Sequence, residues 1–241
     1  MNERLYFDKT LNSDSKSILL NEEESHHLLK VIRAKAGDEI SLMNGKGIIA
    51  DASITEASKK QALLEIHNIK QYPALINKIH LGICPLKKRD KFELVIEKAT
   101  ELGVSEISII QSEFSERSKI NTERLEKIII SAAKQSINPY SPILNPVIKY
   151  ADFINSKASS TEQKLIAWCG TTKQSHIAKL YKPKEDCILL IGPEGDFSAS
   201  EIELATGRNF VPVNLGSLRY RSETAALFAI AALQTLKEIT S

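Results

Sequence analysis

A change of hydrophobic rhythm near Tyr72-Pro73-Ala74 limits what this 241-residue chain can become. Before that point apolar and polar residues alternate over short stretches; after it, continuous apolar runs alternate with segments of helical spacing. The run Cys187-Ile-Leu-Leu-Ile191 holds no polar residue, and such a strand must be covered on both faces, as in a parallel sheet. Residues 78–84, 165–169 and 211–215 read as strands of the same sheet. Helices are expected over 92–102, with Gly103 as the stop, from Asn121 or Thr122 to about Gln135, from the capping box Ser198-x-x-Glu201, and over 224–239. A further strand is expected over 107–110. Ahead of the boundary, strands are expected over 4–7, 17–20, 39–44, 48–55 and 62–70, with a helix over 22–33 capped by Asn21 and a hairpin turn at Asn44-Gly45-Lys46-Gly47. The fold class is therefore α/β, with a small strand-rich domain over 1–72 and a larger sheet-and-helix domain over 73–241.

Composition excludes more than it selects. Lys plus Arg number 32 against 30 Asp plus Glu, so a nucleic-acid surface must come from local clustering rather than bulk charge. Cys84, Cys169 and Cys187 lie far apart without a C-x-x-C pair, which argues against a disulfide framework or zinc site. The histidines show no H-x-x-x-H spacing, so no metal is expected. The N-terminus lacks an apolar signal core, and no run approaches the roughly 18 apolar residues of a membrane span; a cytoplasmic protein is expected.

Two segments break local rules. Ile191-Gly192-Pro193-Glu194-Gly195-Asp196-Phe197-Ser198 follows a buried strand with glycines on either side of Pro-Glu. It is either a plain strand-to-helix turn or a place where backbone approaches a ligand beyond the carboxyl end of a strand. The second, Leu215-Gly216-Ser217-Leu218-Arg219-Tyr220-Arg221-Ser222-Glu223-Thr224-Ala225-Ala226, puts two arginines at the start of an apolar helix. Cations are unfavourable beside the positive end of a helix dipole. Either Glu223 merely offsets them, or they serve an anionic or electron-rich ligand.

Taken together the two segments resemble the SPOUT methyltransferases, and among these the family that methylates N3 of a uridine in 16S ribosomal RNA. Arg4-Leu5-Tyr6-Phe7, His26-His27-Leu28-x-x-Val31-x-Arg33, Gly37-Asp38, Glu97-Lys98-Ala99-Thr100-Glu101-Leu102-Gly103-Val104 and Ser115-Glu116-Arg117-Ser118 fit the same family. The resemblance implies an N-terminal PUA-like β-barrel, a C-terminal α/β domain with a trefoil knot, a homodimer, and S-adenosylmethionine bound in the knot. Carried onto this chain, the cofactor would meet Trp168, Gly170, Leu190, Gly192, Glu194, Gly195, Leu215, Gly216, Leu218, Tyr220, Thr224 and Ala225. Arg221, then Arg219, would stabilise charge on the uracil, with Glu223 orienting an arginine. Lys87 and Arg89, in the basic run Lys87-Lys88-Arg89-Asp90-Lys91, are either a solvated face or RNA-phosphate contacts; Lys30, Arg33 and Arg117 would extend that footprint. The chain departs from the family where Asp196 replaces a glycine and where Lys134-Gln135-Ser136-Ile137-Asn138 lacks an acid and an arginine. A non-catalytic RNA-binding or ribosome-assembly protein, and a SPOUT methyltransferase acting on another nucleotide, are the alternatives.

Overall fold

A computed structural model describes residues 5–58, 61–116, 118–157, 159–160, 162–170 and 174–240. Arg4, expected in the first strand, and Arg117, expected at RNA, lie outside the described residues. Contacts divide the chain into two compact units: residues 1–74 with 130–141, and residues 75–129 with 142–241.

The first unit is a five-stranded sheet of β1 (Leu5–Phe7), β2 (Ser17–Leu19), β3 (Glu39–Met43), β4 (Ile48–Ala57) and β5 (Ala62–Gln71), in the order β1-β3-β4-β5-β2. Only β1 and β3 pair in parallel. Register shifts along β4 and β5 mark irregularities that bend the long hairpin, and the inner face closes over Tyr6, Leu28, Ile40, Leu42, Ile54 and Leu64. Asn44 forms the turn between β3 and β4: its side-chain oxygen accepts from the N–H of Lys46 and of Ile48, while Gly45 and Gly47 adopt positive φ.

The expected helix over 22–33 is shorter and less regular. Asn21 caps it, accepting from Glu24 N–H at 2.9 Å, but α1 (Glu22–His26) passes into a π-helical turn over His27–Val31. Arg33, at φ 61°, then ends it. The wider turn keeps Leu28 in the core, with Ala34 N–H returning to the Leu28 carbonyl.

The second unit is a six-stranded sheet. Its strands are β6 (Ile79–Ile83), β7 (Glu106–Gln111), β8 (Ile143–Lys149), β9 (Gln163–Ala167), β10 (Cys187–Ile191) and β11 (Val211–Val213), in the order β11-β9-β10-β6-β7-β8, with every pair parallel. Side chains sort by parity. Cys187, Leu189 and Ile191 face a layer built with α2 (Arg89–Glu101), α3 (Thr122–Gln135) and α7 (Ser222–Thr240), whereas Ile188 and Leu190 face α4 (Tyr150–Ser156) and α6 (Ala199–Thr206). Each fully buried leucine or isoleucine contributes roughly 1.5–3 kcal/mol, so both layers hold the central strand. A short α5 (Ile177–Leu180) precedes β10.

Two contacts fix the helices that lead to the strand ends. Gln234 Nε2 donates to the carbonyls of Leu102 and Gly103 at 2.6 and 3.0 Å, so α7 satisfies the end of α2. Ser198 and Glu201 form the expected capping box on α6, and Glu201 also accepts from Glu113 N–H.

β8 and α4 were absent from the sequence expectation. β8 is an edge strand with Pro146 inside and little burial, so it carries no apolar run. α3 starts in the second unit and finishes in the first, where Ile137 at φ 52° and Asn138 end it. There Lys134 meets the buried Glu24 at 2.6 Å, and Tyr140 Oη donates to the Tyr72 carbonyl at 3.0 Å.

His80 is buried beneath the sheet's α4 face, edge-on to Phe153, with Nε2 2.9 Å from Ser108 Oγ. Burial pushes its pKa down from 6.5 to about 4, against the pull of Glu106. The unfolded chain therefore binds the proton more tightly, and stability present above about pH 6.5 is lost as pH falls toward 4. This amounts to roughly 3 kcal/mol. His80→Asn, which cannot titrate, is expected to flatten the decline of thermal midpoint across that window; an unchanged slope contradicts the assignment.

Candidate functional site

Because β11, β9 and β10 are parallel neighbours, the turns that leave them emerge along one edge of the sheet. The turns at 168–170, 192–196 and 214–220, with the first turn of α7, enclose a cavity of about 450 Å³. This is where open parallel sheets take ligands, and the volume suits a cofactor-sized molecule. Trp168, Leu215, Leu218 and Tyr220 supply apolar surface, while Gln174, Glu194, Asp196, Asn214 and Ser217 bring polar groups.

Local geometry explains why these residues stand there. Gly170 has no side chain because a Cβ would collide with the indole of Trp168. Gly216 sits at φ 123°, a conformation open to glycine, and its N–H donates to Asn214 Oδ1 at 3.2 Å. Asn214 also holds the 174–177 segment: its backbone accepts from Ile177 N–H, and its side-chain amide donates to the Gln174 carbonyl. Gln174 Nε2 is buried and has no hydrogen-bond partner among the described residues. An uncompensated donor is expensive, and Gln174 stands in the cavity lining.

A second hollow of about 450 Å³ adjoins the first and shares Glu194, Arg219, Tyr220 and Ser222 with it. Lys87, Lys88, Lys91, Arg221 and Glu223 complete its wall. Arg219 and Arg221 are exposed, and Arg221 sits just before α7, its carbonyl accepting from Ala225 N–H. Glu194 accepts from Lys87 N–H at 3.0 Å, which ties the turn after β10 to the basic segment. The Lys87 ammonium reaches Glu116 at 2.9 Å, and this partner raises its pKa.

Of the residues expected at a cofactor, Trp168, Gly170, Gly192, Glu194, Leu215, Gly216, Leu218, Tyr220 and Ala225 line the first cavity. Leu190 lies fully buried in the layer beneath, Gly195 faces Phe114 in another hollow, and Thr224 is exposed outside the lining. Arg219, Arg221 and Glu223 share the basic hollow with Lys87, whereas Arg89 pairs with Glu93 at 2.6 Å. Lys30 and Arg33 are exposed residues of the first unit. Sequence reasoning missed Asn214 and Gln174. The first closes an apolar strand with an amide, which is a weak signal; the second offers none. Among the described residues no group of three or more His, Cys, Asp or Glu could hold a metal, and no helix is long and apolar enough to cross a membrane.

A doubly covered parallel sheet with a cofactor-sized cavity beside a basic hollow is the frame of an α/β ligand-binding protein. Residues 73–234 match the RNA methyltransferase domain, and residues 20–66 match the RNA methyltransferase PUA domain. The chain belongs to this RNA methyltransferase family. A probable rRNA-methyltransferase from Porphyromonas gingivalis is 34% identical, with a TM-score of 0.86 over 99% of this chain and 100% of that one. A ribosomal RNA small subunit methyltransferase E from Neisseria gonorrhoeae, solved bound to S-adenosyl methionine, is 28% identical over 97% of each chain at a TM-score of 0.85. The protein of that name from Rickettsia conorii is 29% identical over 97% of this chain and 95% of its own length. The pairing of a PUA domain with an α/β methyltransferase domain, expected from the motifs, is thus found.

Trp168 is the only tryptophan, so its emission reports on the cavity wall. Gly170→Ala is expected to displace the indole and shift its emission to the red while the thermal midpoint falls by only a few degrees. A spectrum identical to the parent would contradict the close approach.

Proposed function

We propose that this protein transfers the methyl group of S-adenosylmethionine to N3 of a uridine in 16S ribosomal RNA of the small ribosomal subunit, in the cytoplasm and as a homodimer. In this reading residues 1–72 act as a PUA-like RNA-binding barrel, and 73–241 form the SPOUT methyltransferase domain, threaded as a trefoil knot. The observation that carries it is the pair of adjoining hollows, one lined by Trp168, Leu215, Leu218 and Tyr220 together with polar groups, the other lined by five Lys and Arg residues. The names of the relatives support the substrate class.

S-adenosylmethionine supplies an electrophilic methyl group on a sulfonium. The protein's own part is to position the base and to favour its deprotonated form. The uracil imide is protonated near neutral pH, so the nitrogen becomes nucleophilic only as negative charge spreads to its flanking carbonyl oxygens. Arg221 and Arg219 bring fixed positive charge to the hollow where that charge would develop. Glu223, half-buried in the same wall, orients them. Glu194 lines both hollows and would take the proton, whereas Asp196 lines only the first. Lys87, Lys88 and Lys91 hold phosphate.

Arg221→Ala is expected to lower methylation of small ribosomal subunits by roughly 10²–10³-fold while the variant melts within a few degrees of the parent. Transfer of radiolabelled methyl groups measures this, and mass spectrometry of the product nucleosides identifies the position. Near-parental turnover overturns the arginine's role; a label on any nucleoside other than N3-methyluridine overturns the substrate.

A further inference from the structure

Asp196 closes the turn after β10 and its side chain reaches beyond that turn. Asp196 stands at φ 65°, in the left-handed region. A glycine there is free of strain, and aspartate is among the few other residues that tolerate it. Its backbone N–H donates to the Pro193 carbonyl at 3.0 Å, closing the turn after β10. One carboxylate oxygen accepts from Phe197 N–H at 2.8 Å. The other crosses to the neighbouring strand's turn and accepts from Cys169 N–H at 2.9 Å. Asp196 and Cys169 both line the first cavity, so a single carboxylate joins two of the three turns that enclose it. Bonds to an ionised acceptor are about twice as strong as neutral ones, and a glycine at 196 would supply none.

We propose that Asp196 is a positioning residue for the cofactor, a strap that holds the 168–170 turn, with Trp168, against the turn after β10. The inference rests on the reading of the cavity as a site for S-adenosylmethionine. It acts on binding and not on the methyl-transfer step, because Asp196 lies outside the basic hollow that holds Arg221.

The test uses the whole 241-residue chain with Asp196→Gly, which removes both acceptor oxygens, and Asp196→Asn, which keeps one acceptor oxygen and the tolerance for positive φ. Calorimetry with S-adenosylmethionine is expected to show affinity weakened about tenfold in the glycine variant and less in the asparagine variant. In steady-state methylation the glycine variant should raise KM for S-adenosylmethionine more than it lowers kcat. A second readout needs no cofactor. Cys169 is exposed while Cys84 and Cys187 are buried, so iodoacetamide reports on the 168–170 turn. Burial, and after it the Asp196 charge, raises the Cys169 pKa; both variants lose that charge, so the comparison between them isolates the strap. Alkylation should be several-fold faster in Asp196→Gly than in Asp196→Asn. Equal alkylation rates, or equal cofactor affinity in parent and both variants, overturn the strap. A parent protein that binds no S-adenosylmethionine, yet shows the expected order of alkylation, overturns the cofactor reading and leaves the tether standing.

Discussion

A parallel sheet covered on both faces has only its strand ends free for chemistry, and everything at this site follows from that restriction. β10 is buried along its full length, with alternate side chains committed to opposite helical layers. Neither face can hold a ligand without losing core. β11, β9 and β10 run side by side in one direction, so their outgoing turns share an edge. The cavity is the space those turns leave between them. The same geometry brings the start of α7 to that edge, where two arginines flank Tyr220 against the preference of the helix dipole.

Much of this architecture was legible because burial imposes periodicity. The apolar runs at β6, β9, β10 and β11, the capping box on α6 and the hairpin turn at Asn44 each stand where their local chemistry puts them. What stayed hidden lacks such chemistry. β8 lies at the sheet's edge with its side chains half in solvent and a proline within it, so no hydrophobic rhythm announces it. The π-helical turn over His27–Val31 arises from keeping Leu28 buried as the chain leaves α1, a tertiary demand on a sequence that locally suits a plain helix. The grouping of residues 130–141 with the first unit depends on Lys134, Pro139 and Tyr140 meeting partners far away in sequence.

The candidate site divides in the same way. Rule-breaking residues such as Gly192, Gly216, Arg219 and Arg221 were visible as violations of local preference, which concentrate where function overrides stability. Leu190 shows the converse. The resemblance assigns it to the cofactor, yet its side chain fills the layer under the cavity, where it packs over Gly82. Motif membership alone does not separate a residue that touches a ligand from one that supports the wall. Asn214 and Gln174 are positioned by a hydrogen-bond network between two loops, and no spacing rule in a single sequence reveals such a network.

The central claim is that the turns after β9, β10 and β11 form one pocket for a methyl donor. A crystal structure of the protein grown with S-adenosylmethionine tests it most directly. The account predicts the cofactor lodged between Trp168 and the 214–220 turn, with the methyl group turned toward Arg219 and Arg221. Cofactor bound anywhere else, with these turns closed on one another, would contradict it.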